Sequence, residues 1–249
     1  MARQNFKPGA FTAPLPPALV TVGDGEIFNV LTVAWTGILA TVPPKIYISV
    51  RPTRYSYGLL RRTGEFVLHL PTEDMAQTVD YVGIYTGAKV NKFEACALAT
   101  LPSLAVAPPT LAACPVAIEC RVCEVRPMGS HDVFVADVVN VSCDDKLIDR
   151  AGKIHMERAH LLAYAHGDYY TLGACLGHFG FSATKPKKKT TTPGTSHPGK
   201  RVAVPASARP LPHNSHSHSR PTDKPGEKPP SATEGKKPPE RKRRGGSRR

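Results

Sequence analysis

The stretch Asn29-Val-Leu-Thr-Val-Ala-Trp-Thr-Gly37 decides the fold, and it carries the only tryptophan of the 249 residues. Its β-branched residues Val30, Thr32, Val33 and Thr36 suit a pleated surface, so the stretch predicts a β-strand. Small and polar side chains lie on it where a strand in an ordinary core would carry none. We therefore expect this strand to line a binding site as well as to build the fold.

A second stretch, Arg51-Pro-Thr-Arg-Tyr-Ser56, follows an apolar strand pattern at Ile46–Val50 and leads into a short helical pattern that ends near Gly64. The arginine and the unpaired amides of a helix start both attract an anion, because these amides lie at the positive end of the helix dipole. The alternative for Arg51 is a surface ion pair. A planar ring beside the first stretch and a phosphate on the second would fit flavin mononucleotide (FMN).

Short strands and turns predominate in the first 185 residues. Further strand patterns lie at 18–22, 65–70, 115–125 and 131–143, and Gly23-Asp-Gly25 is a hairpin turn signal. A helix is predicted after Thr72, with Met75, Val79 and Val82 on one face. Many short strands with few helices favour a closed antiparallel β-barrel.

The charge of the chain divides it into two parts. Residues 1–185 hold 16 Lys+Arg and 16 Asp+Glu, whereas residues 186–249 hold 17 against 4, which accounts for the whole net charge of +13. The second part also contains 12 prolines and no Phe, Trp or Tyr. Such a composition buries too little apolar area to offset chain entropy, so we expect a disordered basic tail. It is either a weak polyanion-binding arm or a solvated tail.

The N-terminal residues do not have the pattern of a signal peptide, and no apolar run is long enough to span a membrane, so we expect a cytoplasmic protein. The six cysteines occur mostly as single residues in apolar segments. Cys120 and Cys123 have the spacing of a redox or zinc pair, but they lie in an alternating strand and should face opposite sides. We therefore expect no metal site.

Five motifs together resemble one known family. They are Asn29–Gly37, Arg51–Ser56, Asn91-Lys-Phe93, Gly129-Ser-His-Asp132 and Leu162-Ala-Tyr-Ala-His-Gly167. In order and spacing they resemble the flavin reductase-like family, specifically its flavoredoxin branch, over roughly residues 8–185. The resemblance implies an FMN-binding, six-stranded antiparallel split β-barrel with Greek-key topology and a few peripheral helices.

The resemblance also implies which residues hold the flavin. The expected cofactor-binding residues are Asn29, Leu31, Thr32, Ala34, Trp35, Thr36, Gly37, Arg51, Tyr55, Ser56, Lys89, Lys92 and Phe93. Trp35 could instead fill the core, and the two lysines could be solvated loop charges. His131 and His166 are possible substrate-side groups, although a lone histidine at a strand start is often structural.

Two functions follow from the resemblance. One is an NADPH- or NADH-dependent flavin reductase, in which hydride passes to FMN and electrons pass on to an acceptor. The other is a flavoredoxin-like electron carrier that exchanges electrons with a protein and has little nicotinamide activity. The sequence has no GxGxxG fingerprint, which decides little because the family's reductases also lack it. The resemblance further implies a homodimer with the flavin at or near the subunit interface.

Overall fold

The computed structural model describes residues 2–183, and the part of the chain that it describes is mainly β. Its strands are β1 (Ala18–Gly23), β2 (Phe28–Val33), β3 (Thr36–Thr41), β4 (Pro44–Val50), β5 (Glu65–Leu70), β6 (Thr100–Leu101), β7 (Thr110–Leu111), β8 (Val116–Pro127), β9 (Asp132–Cys143), β10 (Leu162–Ala165) and β11 (Asp168–Thr171). Its α-helices are α1 (Tyr55–Thr63), α2 (Ala76–Ile84) and α3 (Lys92–Ala95). The predicted domain boundary at 185 and the predicted tail lie outside the described residues.

One antiparallel sheet contains seven strands in the order β2-β1-β5-β8-β9-β4-β3. Strands β2 and β3 form its two edges, yet only Ala34 and Trp35 separate them along the chain. The sheet must therefore curl until its edges meet, which produces a barrel that is split between β2 and β3. The Ser49 amide donates to the Trp35 carbonyl across 2.9 Å and ties this connection to β4.

The antiparallel split barrel with peripheral helices is confirmed, but the count of six strands is not, because the sheet contains seven. The stretch Asn29–Gly37 was expected to be a single strand, and this prediction is wrong. The Thr36 amide donates to the Ala34 carbonyl across 3.1 Å, which turns the chain sharply. The stretch thus ends one edge strand and begins the other.

The inner core fills the barrel with alternate residues of its strands. Phe66 and Phe134, both fully buried, are its largest members, and each contributes about 1.5–3 kcal/mol through burial. Cys120 also points inward, whereas Cys123 on the same strand is exposed. The two thiols therefore lie on opposite faces, as the alternation predicts.

A second, outer core covers the other face of β1 and β2. Leu19 and Val30 pack there against Met75, Val79 and Val82 of the α2 region. This packing buries β1 on both faces and places the carboxyl end of α2 beside β2. No helix within residues 2–183 is both long and apolar enough to cross a membrane.

Candidate functional site

A groove runs along β2 and past the start of α1, and it is made of three adjoining cavities. The first, of about 200 Å³, is lined mostly by polar groups, and we call it the polar end. The second, of about 380 Å³, shares Leu31, Thr32 and Arg51 with the first. The third, of about 410 Å³, shares Ala34 and Trp35 with the second. We call the second and third cavities together the aromatic end.

The floor of the polar end consists of buried polar side chains. Asn29 of β2, Ser56 in the first turn of α1 and Lys92 of α3 are 4% exposed or less. The Asn29 side-chain amide donates to the Ser56 hydroxyl across 2.6 Å and joins strand to helix. Buried polar groups are retained where they have partners, so these contacts fix the floor before any ligand arrives.

Lys92 places a positive charge at this floor. Its ammonium donates to the Val30 carbonyl across 2.9 Å and to the Val82 carbonyl across 2.8 Å, which links β2 to the end of α2. Burial and, to a smaller extent, the charge of Arg54 lower the pKa of Lys92 to about 8. No carboxylate of the described residues lies within ion-pair distance of it. Lys92 is therefore a buried cation suited to an anionic ligand, and the solvated-loop alternative is wrong.

The rim of the polar end carries two arginines and the start of α1. Arg51 and Arg54 are exposed and line both the first and the second cavity. Arg54 precedes α1 with an extended backbone, so the first amides of the helix have no partner within it. Helix formation after Arg51 and an end at Gly64 are confirmed. Arg54 was not expected as a ligand, although it lies inside the stretch that predicts the anion site.

The aromatic end begins at Trp35, which is 44% exposed and therefore does not fill the core. Its ring lies nearly parallel to that of His131, with centroids 6.2 Å apart and planes inclined by 10°. The Arg51 Nε donates to His131 Nε2 across 3.3 Å. Since Nε2 accepts this hydrogen bond, the imidazole is neutral with its proton on Nδ1, 2.9 Å from the Ser130 hydroxyl. Burial and the charges of Arg51 and Arg54 lower the pKa of His131.

The N-terminal segment forms a wall of the third cavity, which the sequence did not indicate. Leu15 and Tyr164 exchange backbone hydrogen bonds of 2.8 and 2.9 Å, which fixes the segment to β10. The Phe11 and His166 rings lie 4.5 Å apart on the same wall. His166 therefore lines the third cavity, whereas His131 lines the second.

The structure assembles most of the expected flavin residues, but not all of them. Those that line the groove are Asn29, Leu31, Thr32, Ala34, Trp35, Arg51, Tyr55, Ser56 and Lys92. Thr36 and Gly37 lie beside it in β3, where the Thr36 hydroxyl donates to the Tyr47 carbonyl across 2.6 Å. Lys89 is exposed and lines none of the three cavities, and Phe93 packs against the outer core.

The sequence of this chain is similar to those of several curated proteins. Among curated relatives, an uncharacterized protein of Archaeoglobus fulgidus is 30% identical over 158 residues, which cover 64% of this chain and 88% of that protein. An NADPH-flavin oxidoreductase of Streptomyces viridifaciens is 26% identical over 129 residues, covering 51% of this chain and 66% of that protein.

Two solved structures extend the comparison. Flavoredoxin of Desulfovibrio vulgaris (Miyazaki F) matches with a TM-score of 0.68 and 24% identity, over 74% of this chain and all of that one. An FMN-binding protein from Thermus thermophilus with bound 1-cyclohex-2-enone matches with a TM-score of 0.58 and 26% identity, over 69% and 94% of the two chains. The family model described as flavin reductase like domain matches residues 11–173, more than half of the sequence. The chain therefore belongs to the flavin reductase-like family.

Proposed function

We propose that this protein is an FMN-binding oxidoreductase that takes hydride from NADPH or NADH and passes electrons to an acceptor. The observation that carries the proposal is the buried Lys92 ammonium, which lies without a carboxylate partner among the described residues at the polar end of a groove. A ligand that places an anionic group at the polar end and a flat ring at the aromatic end would match a flavin that carries a phosphate. The Streptomyces relative named as an NADPH-flavin oxidoreductase supports the choice of reductant.

The residues of the groove divide the task of holding the flavin. Lys92, Arg51 and the first amides of α1 would bind the phosphate, and Asn29 would hold Ser56 in place for it. Trp35 would contact the ring system. The flavin, when bound, supplies the hydride and electron chemistry, so the protein needs no nucleophile.

His131 would hold a proton beside the flavin ring. Its Nδ1 carries the proton, and Nε2 accepts from Arg51, so the neutral form is the stable one at neutral pH. A phosphate on Arg51 would compete for that guanidinium and make Nε2 available to a substrate. In this proposal His131 is the substrate-side histidine, and His166 belongs to the outer wall of the third cavity.

A second candidate function is a flavoredoxin-like electron carrier without nicotinamide activity. The exposure of Trp35, 44%, favours it, because an open ring end allows a protein partner to approach. Both functions use the same flavin site. They differ only in what reduces the flavin.

An anaerobic absorption spectrum tests both functions. We expect the purified full-length protein, loaded with FMN, to show a flavin spectrum that bleaches on addition of NADPH or NADH. A flavin spectrum that persists with both nucleotides would favour the carrier. Protein that does not bind added FMN would contradict both functions.

A homodimer remains part of the proposal. The edge strand β3 and the following turn expose Ile38 by 77%, Leu39 by 53% and Val42 by 92%. Exposed apolar groups on a sheet edge favour pairing with another chain. Light scattering would give twice the chain mass, and Ile38→Lys would shift the measured mass toward that of the monomer.

The cytoplasmic location likewise remains a prediction from the sequence.

A further inference from the structure

Residues 10–15, which we call the strap, lie outside the seven-stranded sheet and line the third cavity together with Trp35. Among the described residues, the backbone hydrogen bonds that hold the strap are the two between Leu15 and Tyr164, at its carboxyl end. Residues 10–14 are all exposed. The strap is therefore attached at one end, and it can move away from the cavity without disturbing the sheet.

The free end of the strap is held by one ring. Phe11 contacts His166 with ring centroids 4.5 Å apart, yet 71% of Phe11 remains exposed. A single contact between aromatic rings shifts an equilibrium by only about two- to tenfold. The strap therefore opens readily, and the contact between Phe11 and His166 determines the balance between its closed and open states.

The ring that Phe11 meets is held by a tight turn. His166 and Gly167 have positive φ angles of 53° and 105°, and they join Ala165 to its strand partner Asp168. A type I′ hairpin turn requires positive φ at both of its central positions, and it matches the twist of the flanking strands. The turn thus fixes the backbone of His166, so the strap closes on a contact point that does not move with it.

The closed strap discriminates by size. The third cavity, of about 410 Å³, is large enough for a small molecule to lie beside Trp35. A protein instead needs a broad open face, because a standard interface buries about 800 Å² on each partner. The exposed Phe11 ring protrudes from the wall of the cavity and keeps such a face away from Trp35.

We infer that the strap excludes macromolecules from the aromatic end, and that Phe11 restricts the electron acceptor to a small molecule while the strap is closed. The inference rests on the proposed function, because that function places the flavin ring beside Trp35. A protein acceptor reacts only with the open state. Loss of the Phe11 ring should therefore speed the reaction with a protein and leave the reaction with a small acceptor unchanged.

Reoxidation of the bound flavin tests the inference without any nicotinamide nucleotide. The full-length protein is loaded with FMN, reduced with stoichiometric dithionite and mixed anaerobically with ferricyanide or with cytochrome c. Each reduced flavin passes its two electrons to two acceptor molecules and releases its protons to water. We expect Phe11→Ala to raise the rate with cytochrome c about fivefold, which is the effect of one ring contact, and to leave the rate with ferricyanide unchanged.

Three further variants and a second readout complete the test. Phe11→Tyr keeps the ring and should keep the wild-type rates. Phe6→Ala is the matched control, because Phe6 is 83% exposed in the same N-terminal segment but lines none of the three cavities. Leu15→Pro removes the amide that donates to Tyr164 and should also speed the reaction with cytochrome c. Acrylamide quenching of Trp35, the only tryptophan, should increase in Phe11→Ala and Leu15→Pro without any flavin.

The outcomes separate this inference from the proposed function. Equal rate changes with both acceptors, or the same changes in Phe6→Ala, would overturn the selection by size and leave FMN binding intact. Unchanged rates and unchanged Trp35 quenching in Phe11→Ala and Leu15→Pro would show that the strap does not cover the aromatic end. Failure to bind FMN would overturn the proposed function, and Trp35 quenching would then decide whether the strap closes.

Discussion

The two ends of the groove are built from opposite kinds of surface. At the polar end, Asn29, Ser56 and Lys92 are buried, and they bond to one another or to the backbone. At the aromatic end, Trp35 is 44% exposed and Phe11 71% exposed, and both meet a histidine ring rather than a packed core. The polar end is therefore formed by buried side chains, whereas the aromatic end is formed by exposed rings at the surface.

We expect the polar end to determine the affinity for the flavin and the aromatic end to determine which reductant or acceptor reaches it. Groups held by the fold keep their positions without a ligand, so the polar end should supply most of the binding free energy of a phosphorylated flavin. The exposed rings contribute less to binding and leave the flavin open to a reductant or an acceptor. Riboflavin, which has the ring and no phosphate, is the natural probe of the aromatic end alone.

The largest expected effect comes from removing the buried cation. Lys92→Met should weaken FMN binding by about 2–3 kcal/mol, because a charge-assisted phosphate contact is lost. Riboflavin affinity should change little. The measurement is the FMN-to-riboflavin affinity ratio by fluorescence titration. Lys89→Met is the matched control, because Lys89 is exposed and outside the cavities, and a comparable loss there would show that the phosphate lies elsewhere.

A smaller loss should follow from crowding the floor. A Cβ atom on Gly87 would lie 2.3 Å from the Asn29 Oδ1, so Gly87→Ala must displace Asn29 and disturb its bond to Ser56. We expect a loss of about 1–2 kcal/mol in the free energy of unfolding, measured by urea denaturation, and weaker FMN binding. Gly58→Ala in α1 meets nothing within 4 Å and should stabilise the protein by about 0.5–1 kcal/mol. Equal stability of the two variants would mean that the floor is not packed as described.

The sequence was most informative about the polar end. Alternating apolar residues predicted the barrel strands, and the stretch Arg51–Ser56 predicted the start of α1. Both predictions succeeded because they depend only on residues that are close together in the sequence. Asn29 and Lys92 were expected ligands from the resemblance to the family, and both lie at the floor. What the sequence could not show is that the Lys92 ammonium is bonded to two carbonyls distant along the chain.

The aromatic end depends on long-range pairing, which a local pattern does not record. The break between β2 and β3 has no glycine or proline at Ala34 and Trp35 to mark it, and β-branched residues lie on both sides. The wall around Phe11 exists only because Leu15 pairs with Tyr164, across most of the domain. Trp35, His131 and His166 of the aromatic end were therefore among the expected residues, but the wall around Phe11 and the shape of the cavities were not predicted.

Trp35→Ala should affect both flavins alike, which distinguishes it from changes at the polar end. A half-exposed ring contributes about 1 kcal/mol through stacking, so FMN and riboflavin affinities should each fall about fivefold. Trp35→Phe should recover most of this loss. A fall confined to FMN would place the phosphate, rather than the ring, near Trp35.

The smallest expected effect is a pH dependence that belongs to the polar end alone. Lys92 has a pKa of about 8 in the free protein, so its ammonium is present below that pH and is lost as the pH rises through it. Arginine stays charged in this range and a phosphate monoester is already a dianion, so Lys92 is the group that changes. FMN affinity should fall about fourfold between pH 7 and pH 8.5, and riboflavin affinity should not. In Lys92→Met the FMN affinity should no longer depend on pH in this range. If the dependence persists in that variant, another group titrates, and the proposed contact between the buried ammonium and the phosphate is wrong.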